Sequence, residues 1–283
     1  MIITFFPIVG SALRASLYLL EHPDAELVCG WNSEEIESKL RFIKKDGTEN
    51  ILHAEDVCYD EMPKLMKKLF SSKWHKFSKA DSSPVKYIDR VLRHSSADPA
   101  EFVRFLAGCN GNIDILYNKQ SRIGKKYYNY MREVTKSYHS LCMFGRTEVF
   151  ENLLLTEINP QHAISDLFCK WLGRRNPDYP VAVIQNDTAY IANGEYLGYR
   201  HFDVLPVSEI EHLCSSKRDE ELEDLWDMYY CTQMIENRRN HKLAKKMQPS
   251  YTSGISRMAA KDRYRVERGI NKTTLADFTG NSG

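Results

Sequence analysis

The stretch Val181-Ala182-Val183-Ile184-Gln185-Asn186-Asp187-Thr188-Ala189-Tyr190-Ile191-Ala192-Asn193-Gly194-Glu195-Tyr196-Leu197-Gly198-Tyr199 decides the fold class. Val181 to Gln185 is β-branched and apolar, which suits a strand. Asn186-Asp187 then turns the chain into Thr188 to Ile191, and Asn193-Gly194 is a two-residue hairpin signal ahead of Glu195 to Tyr199. Upstream, Val149 to Ile158 is a further run of strand-forming residues that stops at Asn159-Pro160. A helix from about Ala163 to Leu172 falls between these strands. The expectation is a small antiparallel sheet with an inserted helix, in the second half of the chain.

Outside that region the periodicity is helical. Ser11 to Glu21 places Leu13, Leu17 and Leu20 at helical spacing before Pro23, and Ser33 caps a segment carrying Ile36, Leu40 and Ile43 on one face. Around Asp46-Gly47 a hairpin is an equally good reading. Ser83-Pro84 and Asp98-Pro99-Ala100-Glu101 each open a helix with a cap and an N1 proline. A further helix is expected from about Lys125 to His139, with Tyr127, Tyr130 or Met131, Val134 and Tyr138 on one side. Glu209 to Asp227 is an acidic helical stretch, and basic residues from Arg238 to Lys272 follow it. The class expected is therefore α+β, predominantly helical.

Composition narrows the function classes. A hydrophobic fraction of 42% beside a charged fraction of 27% is that of a globular chain, neither disordered nor membrane-embedded. The apolar opening from Ile2 to Leu13 lacks a basic leader and is broken by Pro7 and Gly10, so it does not read as a secretory signal. With no long apolar run elsewhere, the expected location is cytoplasmic and no membrane partner is expected. The seven cysteines are scattered, without a CxxC pair or a histidine at zinc-ligand spacing, so they read as buried reduced thiols. No metal site and no cofactor is expected. A net charge of +1 means that any nucleic-acid affinity has to come from local patches.

Two such patches stand out. In Tyr117 to Tyr130 cations and aromatics interleave: Lys119, Arg122, Lys125 and Lys126 can neutralise phosphates, and Tyr127 and Tyr128 can stack on unpaired bases. An equally good reading makes Tyr127 and Tyr130 core residues and the cations a solvated face. The second patch is Arg238-Arg239-Asn240 with Lys245 and Lys246, where guanidinium groups can grip phosphate in bidentate fashion or pair instead with the acidic helix before them. The Walker, GxGxxG, HExxH, GxSxG and zinc-deaminase motifs are all missing from the sequence. His139 and His162, with Arg146 beside them in the reading, are the candidates for a catalytic role, and His201 is a weaker one.

Three groups of residues carry a resemblance. His139, Phe144 and Arg146 form the first; Ile158-Asn159-Pro160-Gln161-His162 followed by Phe168, Arg175 and Pro177 form the second. The third is Leu225-Trp226, Ile235-Glu236, Arg238-Arg239-Asn240, Leu243, Met247, Pro249 and Tyr251. In this order and over about Asp98 to Tyr251 the chain resembles a bacterial family labelled DNA repair or DNA metabolism proteins. Its genes neighbour a radical-SAM protein, and its domain is sometimes fused to a uracil-DNA-glycosylase-type domain. Met143, Thr147, the missing tryptophan near Val181 and the inserted Gln248 depart from the family pattern.

The resemblance divides the chain into an N-terminal α/β or helical region at 1–97, the family domain at 98–251 and a basic, partly disordered extension at 252–283. It implies a protein that binds DNA, single-stranded or damaged, beside a radical-SAM partner. The alternatives are an enzyme acting directly on a nucleobase or nucleotide, and a protein interaction module that uses its acidic helix.

Overall fold

Ile2-Ile3-Thr4-Phe5 is too short for a helix and is buried at every position, which is what the middle strand of a covered parallel sheet requires. It forms β1 (Ile2–Phe5) of the computed structural model, which describes residues 1–43, 50–58, 60–71, 83–145, 147–150 and 153–214. Strand β1 pairs in parallel with β2 (Glu26–Cys29) on one side and β3 (Ile51–Ala54) on the other. Parallel neighbours need long crossovers, and the helices α1 (Val9–Glu21) and α2 (Ser33–Ile43) lie in them.

The pleat sorts the strand residues between two cores. Ile3 and Phe5 join Leu13 and Leu19 of α1 and residues of four further helices: α3 (Met62–Phe70), α4 (Pro84–Leu92), α5 (Pro99–Gly108) and α6 (Asp114–Tyr117). Ile2 and Val28 pack with Ile36 and Leu40 of α2. Helix α5 starts where its sequence says it should: the Asp98 carboxylate accepts from the amides of Ala100 and Glu101, with Pro99 in the first turn. The α/β alternative for residues 1–97 named no strands, since four-residue strands such as Glu26–Cys29 carry no readable period.

Helix α7 runs over Arg122–Phe144. The chain divides into the units Met1–Thr135 and Lys136–Gly283, and the division falls inside α7. Helices α4 and α5 share the core of α1.

The second unit holds a five-stranded sheet in the order β4 (Glu148–Phe150), β5 (Leu153–Glu157), β6 (Val181–Gln185), β7 (Thr188–Ala192) and β8 (Phe202–Pro206). It corrects the expected sheet in two ways. First, β5 and β6 are parallel, joined by α8 (Ser165–Arg175) as a crossover, so the sheet is mixed and not antiparallel throughout. Second, Asn193-Gly194 is not a hairpin. Asn193 takes the left-handed conformation at φ 54, Gly194–Leu197 forms a 3-10 turn, and the last strand begins only at Phe202.

The Asn193 side chain explains the departure. Its Nδ2 lies 3.1, 2.9 and 2.9 Å from the carbonyl oxygens of Gly173, Asn176 and Tyr179, which share its two hydrogens, and so fastens the end of α8 to β7. Gly173 has to be glycine, because a Cβ there would stand 2.7 Å from that of Ala192. The expected turn at Asn186-Asp187 is present, with Asn186 at φ 52 between β6 and β7. Helix α9 (Val207–Cys214) contributes Ile210 to the core formed by Leu153, Leu155, Ala182, Ala189 and Ile191. Among the described residues no helix is long and apolar enough to cross a membrane.

Candidate nucleic-acid interface

The loop before α7 is tied down by its own polar residues. Asn118 Oδ1 accepts from the Gln120 amide at 2.8 Å, and Ser121 Oγ accepts from the Gly124 amide at 3.0 Å as a helix cap. That closed loop carries Lys119 back over the first turns of the helix, where its Nζ sits 3.9 Å from the centroid of the Tyr128 ring. One turn further along α7, the Arg132 guanidinium lies 5.9 Å from the same ring. Lys119 and Arg132 are exposed and Tyr128 is half-buried, so two cations bracket one ring.

Neighbouring residues of the same stretch have other roles. Lys126 forms an ion pair with Glu101 at 2.5 Å, which binds α7 to α5 and takes up its charge. Tyr127 is fully buried, with its ring 4.7 Å from that of Phe102 and 5.0 Å from that of Phe105. It is a core residue and has no face to offer a base, which corrects its place among the nucleic-acid candidates. Arg122 and Lys125 are exposed. Among the described residues, none of Lys119, Arg122, Lys125 and Arg132 is in an ion pair. The surface that remains is those four cations and Tyr128.

A histidine that did not stand out in the sequence is held in one tautomer in the same unit. His94, on the chain just after α4, is buried and lies flat on the Tyr130 ring at 3.8 Å and 6°. The Ser96 amide donates to its Nδ1 at 3.1 Å, so that nitrogen carries a lone pair and Nε2 carries the proton. Nε2 therefore donates to Glu133 Oε2, 2.9 Å away. His94, Tyr130 and Glu133 stand 36 or more positions apart between the first and the other two, as His94 and Tyr130 show by their numbers, and no spacing rule links them.

The expected histidines are placed differently from one another. His139 is exposed on α7 with its ring edge-on to Tyr138 at 6.1 Å. His162 is 5% exposed in the connection between β5 and α8, where its carbonyl accepts from the Ile164 amide. His201 is exposed and its Nδ1 lies 2.7 Å from Glu195 Oε1. Arg146, Arg238, Arg239, Asn240, Lys245 and Lys246 lie outside the described residues. Burial pushes the thiols of Cys29, Cys109 and Cys169 up to about 12, which leaves them protonated and poor nucleophiles at neutral pH.

A family model described as a domain of unknown function, DUF4130, matches residues 101–252. No curated protein and no solved structure matches the chain.

Proposed function

The chain belongs to the DUF4130 family, a domain of unknown function, and on that premise we propose that the protein binds single-stranded or locally opened DNA through the start of α7. The supporting observation is the set of exposed cations held against Tyr128. Lys119 and Arg132 lie by a ring and, among the described residues, pair with no carboxylate, so no acid offsets their charge toward an anion. A cation paired with an acid, as Lys126 is, has less to offer a phosphate. Phosphate contacts give affinity that is independent of sequence and sensitive to salt.

The role proposed for this binding is to present DNA to a radical-SAM enzyme, in DNA repair or related DNA metabolism. That part is supported by the family resemblance in the sequence and by no geometry.

The test is a titration of the purified protein against fluorescent single-stranded, duplex and uracil-containing DNA, with RNA as control, over a range of salt. In the variant Lys119→Ala/Arg122→Ala/Lys125→Ala/Arg132→Ala, single-strand binding is expected to weaken. The slope of log affinity against log salt should flatten by up to about 3, at about 0.7 per phosphate contact. Equal affinity and slope in variant and wild type would remove α7 as the interface. Conversion of the DNA during the titration would move the protein from accessory to enzyme.

A further inference from the structure

Helix α8 buries Ser165, Phe168, Cys169, Leu172 and Gly173. At about 100° per residue these fill one arc, and Lys170, Trp171, Arg174 and Arg175 fall on the other. Lys170, Arg174 and Arg175 are exposed and Trp171 is half-buried. Two of the three cations rest on aromatic rings. The Arg175 guanidinium lies 5.1 Å from the Trp171 centroid, and Lys170 Nζ lies 4.0 Å from the centroid of Phe202 on β8. The rings are themselves anchored: Trp171 stacks on the fully buried Phe168 at 5.8 Å and 17°, and Phe202 is in register with Ala192 of β7.

Among the described residues, none of Lys170, Arg174 and Arg175 is in an ion pair. Nearby acids are otherwise placed: Asp166 has a partner of its own, and Glu195 is bonded to His201. Asp178 follows the helix without pairing with any of the three. The helix dipole gives one reason for arginines in a last turn, at about 0.3–1 kcal/mol each. It gives none for Lys170 on Phe202, which belongs to a different element, nor for a tryptophan kept on the solvent side of the helix.

We infer that this face of α8, with Phe202 of β8, is a second binding surface for single-stranded nucleic acid. Arg174, Arg175 and Lys170 take backbone phosphates, and unpaired bases stack on the layer made by Arg175 and Trp171. An arginine held beside an indole can still turn its N–H groups to bidentate phosphate contact, while the indole offers a base a stacking surface. The inference rests on the reading of the protein as a nucleic-acid binder but uses separate residues on a separate unit.

The experiment measures binding of a fluorescent oligothymidylate to the full chain over a range of salt. It compares wild type, the α7 variant above, Lys170→Ala/Arg174→Ala/Arg175→Ala, and Trp171→Leu. The α8 triple variant should flatten the salt slope by about 2, since three phosphate contacts contribute about 0.7 each. Trp171→Leu should weaken binding about ten-fold with little change in slope, because stacking is not ionic. The swap Lys170→Arg/Arg174→Lys/Arg175→Lys should keep the slope.

Unchanged affinity and slope in the α8 triple variant overturn the inference whatever the α7 variant does. Loss with α8 but not with α7 supports the inference and removes the α7 reading. No binding by wild type removes both. An acidic peptide of equal charge that competes as well as the oligonucleotide also overturns it, by making the face a general anion surface. Should the triple variant fail to fold, ultraviolet crosslinking of a photoreactive oligothymidylate to wild type decides. Crosslinks on the peptides holding Trp171 or Phe202 support the surface, and their absence from both peptides overturns it.

Discussion

Tyr127 brings a hydroxyl into the core of the first unit, and so does Tyr87; neither oxygen has a hydrogen-bond partner among the described residues. Burial pushes both phenols well above their ordinary range. An unsatisfied buried hydroxyl costs about 1–3 kcal/mol, so Tyr127→Phe and Tyr87→Phe should leave stability unchanged or raise it by about 1 kcal/mol. Urea unfolding of the two variants checks this, and a loss of stability in both would mean that the hydroxyls are satisfied after all. Burial shifts the buried thiols in the same direction. Those of Cys109 and Cys169 stand at about 12 in the folded chain against an ordinary 9.0. Below about pH 9 both states keep the proton and stability does not change. Above it the unfolded chain releases protons that the folded chain retains, so stability falls by about 1.4 kcal/mol per pH unit for each thiol. Urea midpoints should therefore drop between about pH 9 and about pH 10, and less steeply in Cys109→Ala/Cys169→Ala.

At the scale of elements, the join between α8 and β7 depends on one amide. Asn193→Gly keeps access to the left-handed backbone and loses the two amide hydrogens shared by the carbonyls of Gly173, Asn176 and Tyr179. About 1–3 kcal/mol is the expected cost in urea unfolding. Asn193→Asp should cost more, because a carboxylate would face three carbonyl oxygens; equal costs would show that the amide hydrogens carry little of the effect. The same residue shows why part of the fold was not legible. Asn-Gly signals a hairpin when the side chain has only local partners, and here it is taken up by the end of α8. The parallel pairings of β1 with β2 and β3, and of β5 with β6, depend on crossovers that strand periodicity does not reveal. Helix α5 was legible because its start is local chemistry, Asp98 followed by Pro99. The clustering of cations and tyrosines around the start of α7 was visible in the sequence, although composition could not separate fully buried Tyr127 from half-buried Tyr128. The α8 patch was not, since Phe202 reaches Lys170 only after the sheet has formed.

For the whole molecule, a net charge of +1 provides almost no long-range attraction for a polyanion. Affinity has to be summed from patches, and the two proposed here lie on different units of the chain. Two weak sites on one chain raise the apparent affinity for a ligand that engages both, through effective concentration, and add nothing for a ligand that engages one. Affinity for oligothymidylates of increasing length should therefore rise in a step once a strand can span from α7 to α8. Removing the cations of either patch should abolish the step while leaving the affinity for short strands within a few-fold of a single site. The step length would then measure the span between the patches along bound DNA. A smooth rise with length that both variants share would mean that the patches act separately, each with its own strand, and a DNA-presenting role would then have to be assigned to one of them alone.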